Sequence, residues 1–206
     1  MKIVLVSKNP KKAVEMQRMA NELVNENVII VSLSDIPEAQ MEEQAEENGT
    51  TFMENAIIKA EYWAKKLQMP ALAEDSGIMI DALDGAPGVE TKRAIAKFFP
   101  GQDINVDRPS EYYPKLLEMM KASGNSSKRA SWVSAMALAF PDGRPNIDAQ
   151  NILYGEMCEC AGIREFGFDQ YFIPEEYHET LSEMEIAKKD AIGPRYRSLK
   201  EILAKI

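Results

Sequence analysis

Residues 1–12 place a short apolar run directly before a helix start, and this order restricts the fold more than any other feature of the chain. The run at 1–6 predicts a buried strand, because it breaks at polar Ser7. Asn9 predicts an N-cap and Pro10 the first helical position. Apolar residues then recur at helical spacing at Ala13, Met16, Ala20 and Leu23. A strand that leads into a helix favours an α/β fold.

The rest of the chain continues this alternation. Strands are predicted at 28–33, 71–73 and 78–83, and a long amphipathic helix carries Phe52, Ala56, Ala60, Trp63 and Leu67 on one face. Ser110 is a candidate cap for a further helix. A half-buried strand at 129–140 leads through a hairpin turn at 141–143 into another strand, and 182–206 is irregular and then helical. The prediction is a single α/β domain over 1–206, with a mixed sheet flanked by helices.

Net charge excludes some partners. The 206 residues carry 24 basic and 33 acidic side chains, for a formal net charge of −9. A surface of that sign repels nucleic acid and anionic membranes, so neither is expected as a partner. A small anion remains possible if lysines or a metal reverse the charge locally.

The cellular compartment is predicted from the short N-terminal apolar run and from the spacing of the two cysteines. The apolar run at 1–6 is too short for a signal-peptide core or a membrane span. Cys158 and Cys160 are one residue apart, a spacing that suits neither a disulfide framework nor a closed zinc site. We therefore expect a cytoplasmic protein with reduced thiols.

The first candidate site is the helix start that follows the opening strand. Unpaired backbone amides and the helix dipole favour phosphate there, and three lysines add positive charge. The residues are Ser7, Lys8, Asn9, Pro10, Lys11 and Lys12. An ordinary capped surface helix explains the same pattern and is the commoner case.

The second candidate is acidic. Asp75 stands with Glu74 at the expected carboxyl end of a strand, where α/β sheets tend to bind ligands. Such carboxylates can hold a divalent cation and activate water, although Asp, Ser and Gly are also the residues of an ordinary turn. Glu47 could add a second ligand. Glu54 fits a capping box with Thr51 and is assigned a structural role.

Two further segments carry residues that could contact a nucleotide. Lys59 lies on the polar side of the helix that begins near Phe52, and Asn55, four residues earlier, shares its face. Downstream, an exposed aromatic of the segment Phe166, Gly167, Phe168 and Asp169 could stack on a base, with the Asp accepting hydrogen bonds from the base edge. Two aromatics around a glycine more often indicate core or a bulge.

The order and spacing of these blocks resemble the inosine triphosphate pyrophosphatases over nearly the whole chain. The matching segments are Ser7-Lys8-Asn9-Pro10-Lys11-Lys12, the block 46–60, Ala73-Glu74-Asp75-Ser76-Gly77, Gly85-Ala86-Pro87-Gly88 and Phe166-Gly167-Phe168-Asp169. Lys189 and Arg195 follow at matching distances. The resemblance implies a two-lobed fold with a nucleotide cleft between the lobes, as in Maf-like relatives.

The resemblance also implies a role for each residue. Residues 7–12 would bind the triphosphate, Glu47 and Asp75 would hold Mg²⁺, and Asp75 would be the base for the attacking water. The remaining nucleotide contacts would be Lys59, Ser76, Lys92, Phe166, Gly167, Phe168, Asp169, Lys189 and Arg195. The implied reaction splits ITP, dITP or XTP into monophosphate and pyrophosphate, in a homodimer.

One departure from the family pattern concerns the base. The family usually has Ser-His-Arg near its C-terminus, and this chain has Gly193-Pro194-Arg195. Two other functions stay open at this stage. One is a related pyrophosphatase for pyrimidine or modified nucleotides, although Asn9 and Lys12 differ from the opening loop of Maf-like enzymes. The other is a nucleotide-binding protein without turnover, which the intact Glu47, Asp75 and Lys59 disfavour.

Overall fold

The computed structural model describes residues 1–7, 10–24, 28–37, 45–105, 109–162 and 167–206. Within these ranges the helices are α1 (Pro10–Val24), α2 (Phe52–Leu67), α3 (Thr91–Phe98), α4 (Pro109–Ala122), α5 (Ile186–Ile192) and α6 (Pro194–Leu203). The strands are β1 (Lys2–Leu5), β2 (Ile29–Ser32), β3 (Ala71–Ile80), β4 (Arg129–Ala139), β5 (Ile147–Met157) and β6 (Phe172–Pro174).

The strands form one mixed sheet of order β2-β1-β3-β4-β5-β6. β1 runs parallel to β2, with Ile3 opposite Ile30, and parallel to β3, with Val4 opposite Ala71. β6 runs antiparallel to β5, with Glu156 opposite Ile173. These pairings confirm the predicted α/β fold with a mixed sheet.

The chain separates into two compact units. The first comprises Met1–Asp75, Ser134–Asn151 and Pro194–Ile206, and the second comprises Ser76–Val133 and Ile152–Gly193. The chain therefore passes from one unit to the other inside β3, β4 and β5, and again between α5 and α6. The single domain over 1–206 and the cleft between lobes stay predictions.

Each unit has its own apolar core. In the first, Met16 and Ala20 of α1 pack with Ile3 and Leu5 of β1 and with Leu199 of α6. The predicted apolar face of α1 is confirmed, since Ala13 and Leu23 also pack against this cluster. In the second unit, the largest buried side chains include Ile78, Ile80, Tyr112, Tyr113 and Phe172.

The sequence-based boundary of β3 was wrong. We expected a strand at 71–73, a turn at 74–77 and a second strand, whereas one strand runs without interruption over Ala71–Ile80. Asp75 therefore lies inside a strand and not at its carboxyl end. The strand tolerates Glu74 at a buried position because cationic and hydroxyl groups from distant parts of the chain bind its carboxylate.

Smaller differences concern other elements. α4 begins at Pro109, so Ser110 lies inside the helix and is not its cap. β4 was expected to be half-buried, but its residues from Val133 onward are buried on both faces. α3 and the short strand β6 were not predicted at all. No helix among the described ranges has the length and apolar character needed to cross a membrane.

Candidate active site

The site begins with the N-terminus of α2. Thr51 is the N-cap: its hydroxyl accepts from the Glu54 backbone N–H at 3.1 Å, and the Glu54 carboxylate accepts from the Thr51 N–H, also at 3.1 Å. This capping box confirms the prediction for Glu54. The same carboxylate also accepts from the Thr50 hydroxyl at 2.8 Å. Because these hydrogen bonds favour the ionised form, they lower the pKa of Glu54.

The centre of the site is a cluster of Asp75, Lys59 and Glu47. The Lys59 ammonium donates to Asp75 Oδ1 at 2.8 Å and to Glu47 Oε2 at 3.2 Å. Lys59 lies two turns into α2, Asp75 lies in β3, and Glu47 lies on the segment before α2. One lysine therefore joins the two carboxylates that the resemblance assigned to the metal.

Asp75 is largely buried, and its environment changes its acidity. Burial raises the pKa of Asp75 above its ordinary value, and the nearby Glu47 carboxylate raises it further. Lys59 opposes both effects by its charge and its hydrogen bond, as does a hydrogen bond from Asn55. A raised pKa makes the carboxylate a stronger proton acceptor, which suits a general base.

The two carboxylates fit a magnesium site on the chemistry of their donor atoms. Their side chains keep 15% and 45% of their surface exposed, for Asp75 and Glu47 respectively, so both can reach a ligand. In the described part of the chain, no group of three or more His, Cys, Asp or Glu side chains could hold a metal. Mg²⁺ characteristically binds to one or two protein carboxylates together with substrate phosphates. Asp75 and Glu47 can supply the two carboxylates.

The Glu74 side chain lies on the opposite face of β3 from that of Asp75, because consecutive strand residues point to opposite faces. It accepts from Arg195 Nε at 3.0 Å, from the Ser134 hydroxyl at 2.8 Å and from Lys12 Nζ at 3.3 Å. Arg195 also donates to Glu15 at 2.9 Å. Glu74 is buried, but the charges of Arg195 and Lys12 and these hydrogen bonds outweigh the cost of burial and lower its pKa to about 2.

The sequence had left open that Glu74, like Asp75, could bind a divalent cation. Its partners make Glu74 unavailable for that role. The same network decides what Arg195 and Lys12 do in this structure. Arg195, which the resemblance assigned to the nucleotide pocket, is only 4% exposed and neutralises Glu74. Lys12, assigned to the triphosphate, binds the same carboxylate with a side chain that is 29% exposed. Their contacts with a nucleotide stay predictions.

The expected phosphate loop is described only in part. Ser7 is half-buried, and its carbonyl accepts from the Ser32 hydroxyl at 3.2 Å. Lys11 is exposed on the first turn of α1. Lys8 and Asn9 lie outside the described residues, as does the side chain of Pro10, so the predicted Asn9 cap is not tested.

In the second unit, the structure brings several predicted base-pocket residues together. Asp169 is buried and forms an ion pair with Lys189. The Phe168 ring is half-buried and packs against Tyr113, with ring centroids 5.2 Å apart. Gly167 is exposed at φ +56°, a conformation that glycine adopts without strain.

For three other predicted nucleotide contacts, the structure describes little or nothing of the side chain's surroundings. Phe166, the expected stacking residue, lies outside the described residues. Lys92 lies in α3, but its side chain is not described. Ser76 is half-buried in β3, directly after Asp75.

Asn55 was not among the residues predicted for the site, although the structure places it in the cluster. Its amide donates to Asp75 Oδ2 at 3.4 Å. The available signal was its position four residues before Lys59, on the same helix face.

Comparison with known proteins gives a consistent result. A model of the Ham1 family matches residues 3–205. The dITP/XTP pyrophosphatase of Coxiella burnetii is 33% identical over 205 residues, covering 98% of this chain and 94% of the relative. The dITP/XTP pyrophosphatase of Bacillus anthracis is 32% identical over 211 residues, covering 99% of this chain and 95% of the relative.

Solved structures extend the similarity to three dimensions. A HAM1 protein from Coxiella burnetii matches with a TM-score of 0.80 and 31% identity, over 100% of both chains. The Ham1 protein of Staphylococcus aureus matches with a TM-score of 0.77 and 25% identity, over 100% of this chain and 99% of that one.

Proposed function

The chain belongs to the Ham1 family, and from this premise we propose that it hydrolyses the triphosphates of non-standard purines to nucleoside monophosphate and pyrophosphate. The substrates are dITP and XTP, for which the similar enzymes are named, together with ITP. The activity removes such nucleotides from the nucleotide pool. The observation that carries the proposal is the cluster in which Lys59 holds Asp75 and Glu47 together.

The reaction adds one water across a phosphoanhydride bond. The water oxygen bonds to phosphorus, the bridging bond breaks, and the water proton leaves to a base. Asp75 is proposed as that base, since its carboxylate is held by Lys59 and keeps 15% of its side chain exposed to a ligand. Lys59 orients the carboxylate through its bond to Oδ1 and places positive charge where the triphosphate would lie.

Glu47 and Asp75 are proposed to hold Mg²⁺, which would neutralise part of the charge of the triphosphate when bound. Their oxygen donors and partial exposure support this assignment. Lys12 is the proposed second cation, and its partly exposed ammonium would have to exchange Glu74 for phosphate. Ser7, Lys8, Asn9, Pro10, Lys11 and Ser76 complete the proposed phosphate contacts.

The base contacts are proposed from the resemblance, and the described residues support them in part. Asp169, held by Lys189, offers carboxylate oxygens to the N–H groups of a six-oxo purine. Phe166 is proposed to stack on the base beside Gly167 and Phe168. Lys92 and Arg195 are proposed as further nucleotide contacts. Homodimer formation is proposed on the resemblance alone, and light scattering of the purified protein tests it. A cytoplasmic location is proposed on the spacing of Cys158 and Cys160, which suits reduced thiols.

A panel of nucleoside triphosphates tests the proposal. ITP, dITP, XTP, GTP, ATP and dUTP are incubated with the protein and Mg²⁺, and released pyrophosphate and orthophosphate are measured separately. We expect pyrophosphate, fastest from the non-standard purines, and loss of the activity with a chelator. Preference for dUTP would indicate a different base, and tight binding without product would indicate a binding protein. Either result contradicts the proposal.

A further inference from the structure

Asn55 is a buried side chain that contacts one proposed metal ligand, Asp75, and the backbone of Gly49, two residues after the other proposed ligand. It lies in the first turn of α2 and is 3% exposed. Its Oδ1 accepts from the backbone N–H of Gly49 at 2.9 Å, and its Nδ2 donates to Asp75 Oδ2 at 3.4 Å. The amide can satisfy the two partners in only one orientation, since Gly49 N–H is a donor and an ionised carboxylate is an acceptor.

The contact with Gly49 is unusually close. A Cβ at residue 49 would lie 2.7 Å from Asn55 Oδ1 and 2.7 Å from Glu54 Cβ. Only glycine lets the backbone approach the Asn55 amide to this distance. Glu47, the proposed metal ligand, precedes Gly49 by two residues, so this contact fixes the segment that carries it.

The contact with Asp75 completes the restraint on that carboxylate. One oxygen accepts from Lys59 at 2.8 Å and the other accepts from Asn55. Both donors come from α2 and are separated by one helical turn, so a rigid element sets the orientation of the carboxylate. Lys59 also binds Glu47, but through a flexible side chain, whereas Asn55 acts through a short buried amide.

We propose that Asn55 is a positioning residue for the pyrophosphatase reaction. Its amide oxygen holds the segment that carries Glu47, and its amide nitrogen orients Asp75. The inference rests on the proposed function, since it gives Asn55 a role in assembling that site. Residues that orient metal ligands typically change metal affinity or activity by about 10- to 100-fold when they are removed.

Two variants separate the two contacts. Asn55→Leu keeps the approximate volume and removes both hydrogen bonds. Asn55→Asp keeps an acceptor for Gly49 N–H and removes the donor to Asp75. Asn151→Ala is the matched control, because the Asn151 amide also makes two hydrogen bonds in the same unit, to Ser198 at 3.2 Å and to Glu201 at 2.9 Å.

The first readout is hydrogen exchange of the Gly49 amide, measured by NMR without metal or nucleotide. Asn55→Leu should lose the protection found in the wild type, while Asn55→Asp and Asn151→Ala should retain it. Equal protection in wild type and Asn55→Leu would overturn the contact with the Gly49 segment. This readout does not depend on enzymatic activity.

The second readout is pyrophosphate release from dITP as a function of Mg²⁺ concentration. Asn55→Leu should raise the Mg²⁺ concentration for half-maximal rate by about tenfold or more, and both Asn55 variants should lower kcat at saturating Mg²⁺. Wild-type values in folded Asn55→Leu would overturn the proposal. If Asn55→Leu does not fold, Gly49→Ala tests the same contact from the other side, and an unchanged Mg²⁺ requirement there would overturn it. A wild type that releases no pyrophosphate would instead refute the proposed function.

Discussion

Glu74 and Asp75 are neighbours in β3, and their carboxylates lie in opposite electrostatic environments. Glu74 is buried among Arg195, Lys12 and the Ser134 hydroxyl, and its pKa falls to about 2. Asp75 is also largely buried, but Lys59 compensates it less completely, and its pKa rises. Glu74 is thereby held ionised as part of the structure, while Asp75 can accept a proton.

The difference shows why residue type alone does not identify a catalytic carboxylate. Both side chains are acidic, both lie in the same strand, and both bind a lysine. What separates them is the number of compensating groups and the access of ligands. Side-chain exposure is 2% for Glu74 and 15% for Asp75. Glu74 is therefore the structural acid of the pair and Asp75 the reactive one.

The largest expected effect on stability is that of Glu74→Gln. Removing one partner of a buried ion pair leaves a charge that is only partly compensated, here on Arg195, and typically costs about 3–5 kcal/mol. We expect a loss of about 3 kcal/mol in the free energy of unfolding, measured with urea, because Glu15 still binds Arg195. Glu22→Gln, in the exposed pair with Arg18, is the control and should change stability by less than about 1 kcal/mol. Equal losses in the two variants would contradict the structural role of Glu74.

The pH dependence of stability should show the same contrast. The pKa of Glu74 is about 2 in the folded protein and 4.5 in the unfolded chain, where the side chain is neither buried nor paired. The unfolded chain therefore takes up a proton first as pH falls, and the stabilisation, present above pH 4.5, is lost between pH 4.5 and 2. Unfolding at a series of pH values should give a steeper acid loss in wild type than in Glu74→Gln. Asp75 contributes with the opposite sign, since its pKa is raised. Parallel curves for the two proteins would contradict the depressed pKa.

Glu47 and Glu54 provide a second pair of acids with different roles. Glu47→Gln should raise the Mg²⁺ concentration for half-maximal activity by about tenfold or more, because a proposed ligand loses its charge. Glu54→Gln should leave the Mg²⁺ requirement nearly unchanged, since Gln also serves in a capping box. A magnesium titration of pyrophosphate release decides between them, and the reverse pattern would show that the two roles are exchanged.

The smallest expected effect concerns Pro194, which is buried and begins α6. It has neither a side-chain donor nor a backbone N–H for a base contact. We therefore expect a narrower preference for ITP and XTP over ATP than a pocket with histidine at position 194 would show. Pro194→His should raise the ratio of kcat/KM for ITP to that for ATP severalfold, about the worth of one hydrogen bond. Pro194→Ala is the control. Strong ITP selectivity in the wild type, unchanged by Pro194→His, would contradict this account of the pocket.

Local interactions were predictable from the sequence, and long-range ones were not. The Thr51–Glu54 capping box spans three residues, and its motif predicted it correctly. The alternation of strand and helix likewise predicted the fold class. The strand through 74–77 was missed because Asp, Ser and Gly also form turns, while the group that lets Glu74 lie in a strand, Arg195, is 121 residues away.

In the candidate site too, local relations were predictable from the sequence and long-range contacts were not. The resemblance assigned Asp75 and Glu47 to the metal and Lys59 to the phosphates, and the structure places both carboxylates within hydrogen-bond distance of Lys59. Asn55 was seen on the face of Lys59, but its bond to Gly49 depends on how the preceding segment folds back, which no periodicity encodes. The ion pairs of Arg195 and Lys12 with Glu74 were likewise invisible, because they join separate elements.

The most direct test is the rate of pyrophosphate release from dITP by Asp75→Asn at saturating Mg²⁺. Asn is nearly isosteric with Asp but neither accepts the proton from water nor carries the charge for a metal, so the rate should fall at least about 100-fold. Thermal unfolding should show an intact fold, because the lost charge is one that burial disfavours. Asp84→Asn, at an exposed left-handed position that Asn tolerates, should keep the wild-type rate. A folded Asp75→Asn protein that retains most of the wild-type rate would contradict the assignment of Asp75 as the reactive acid.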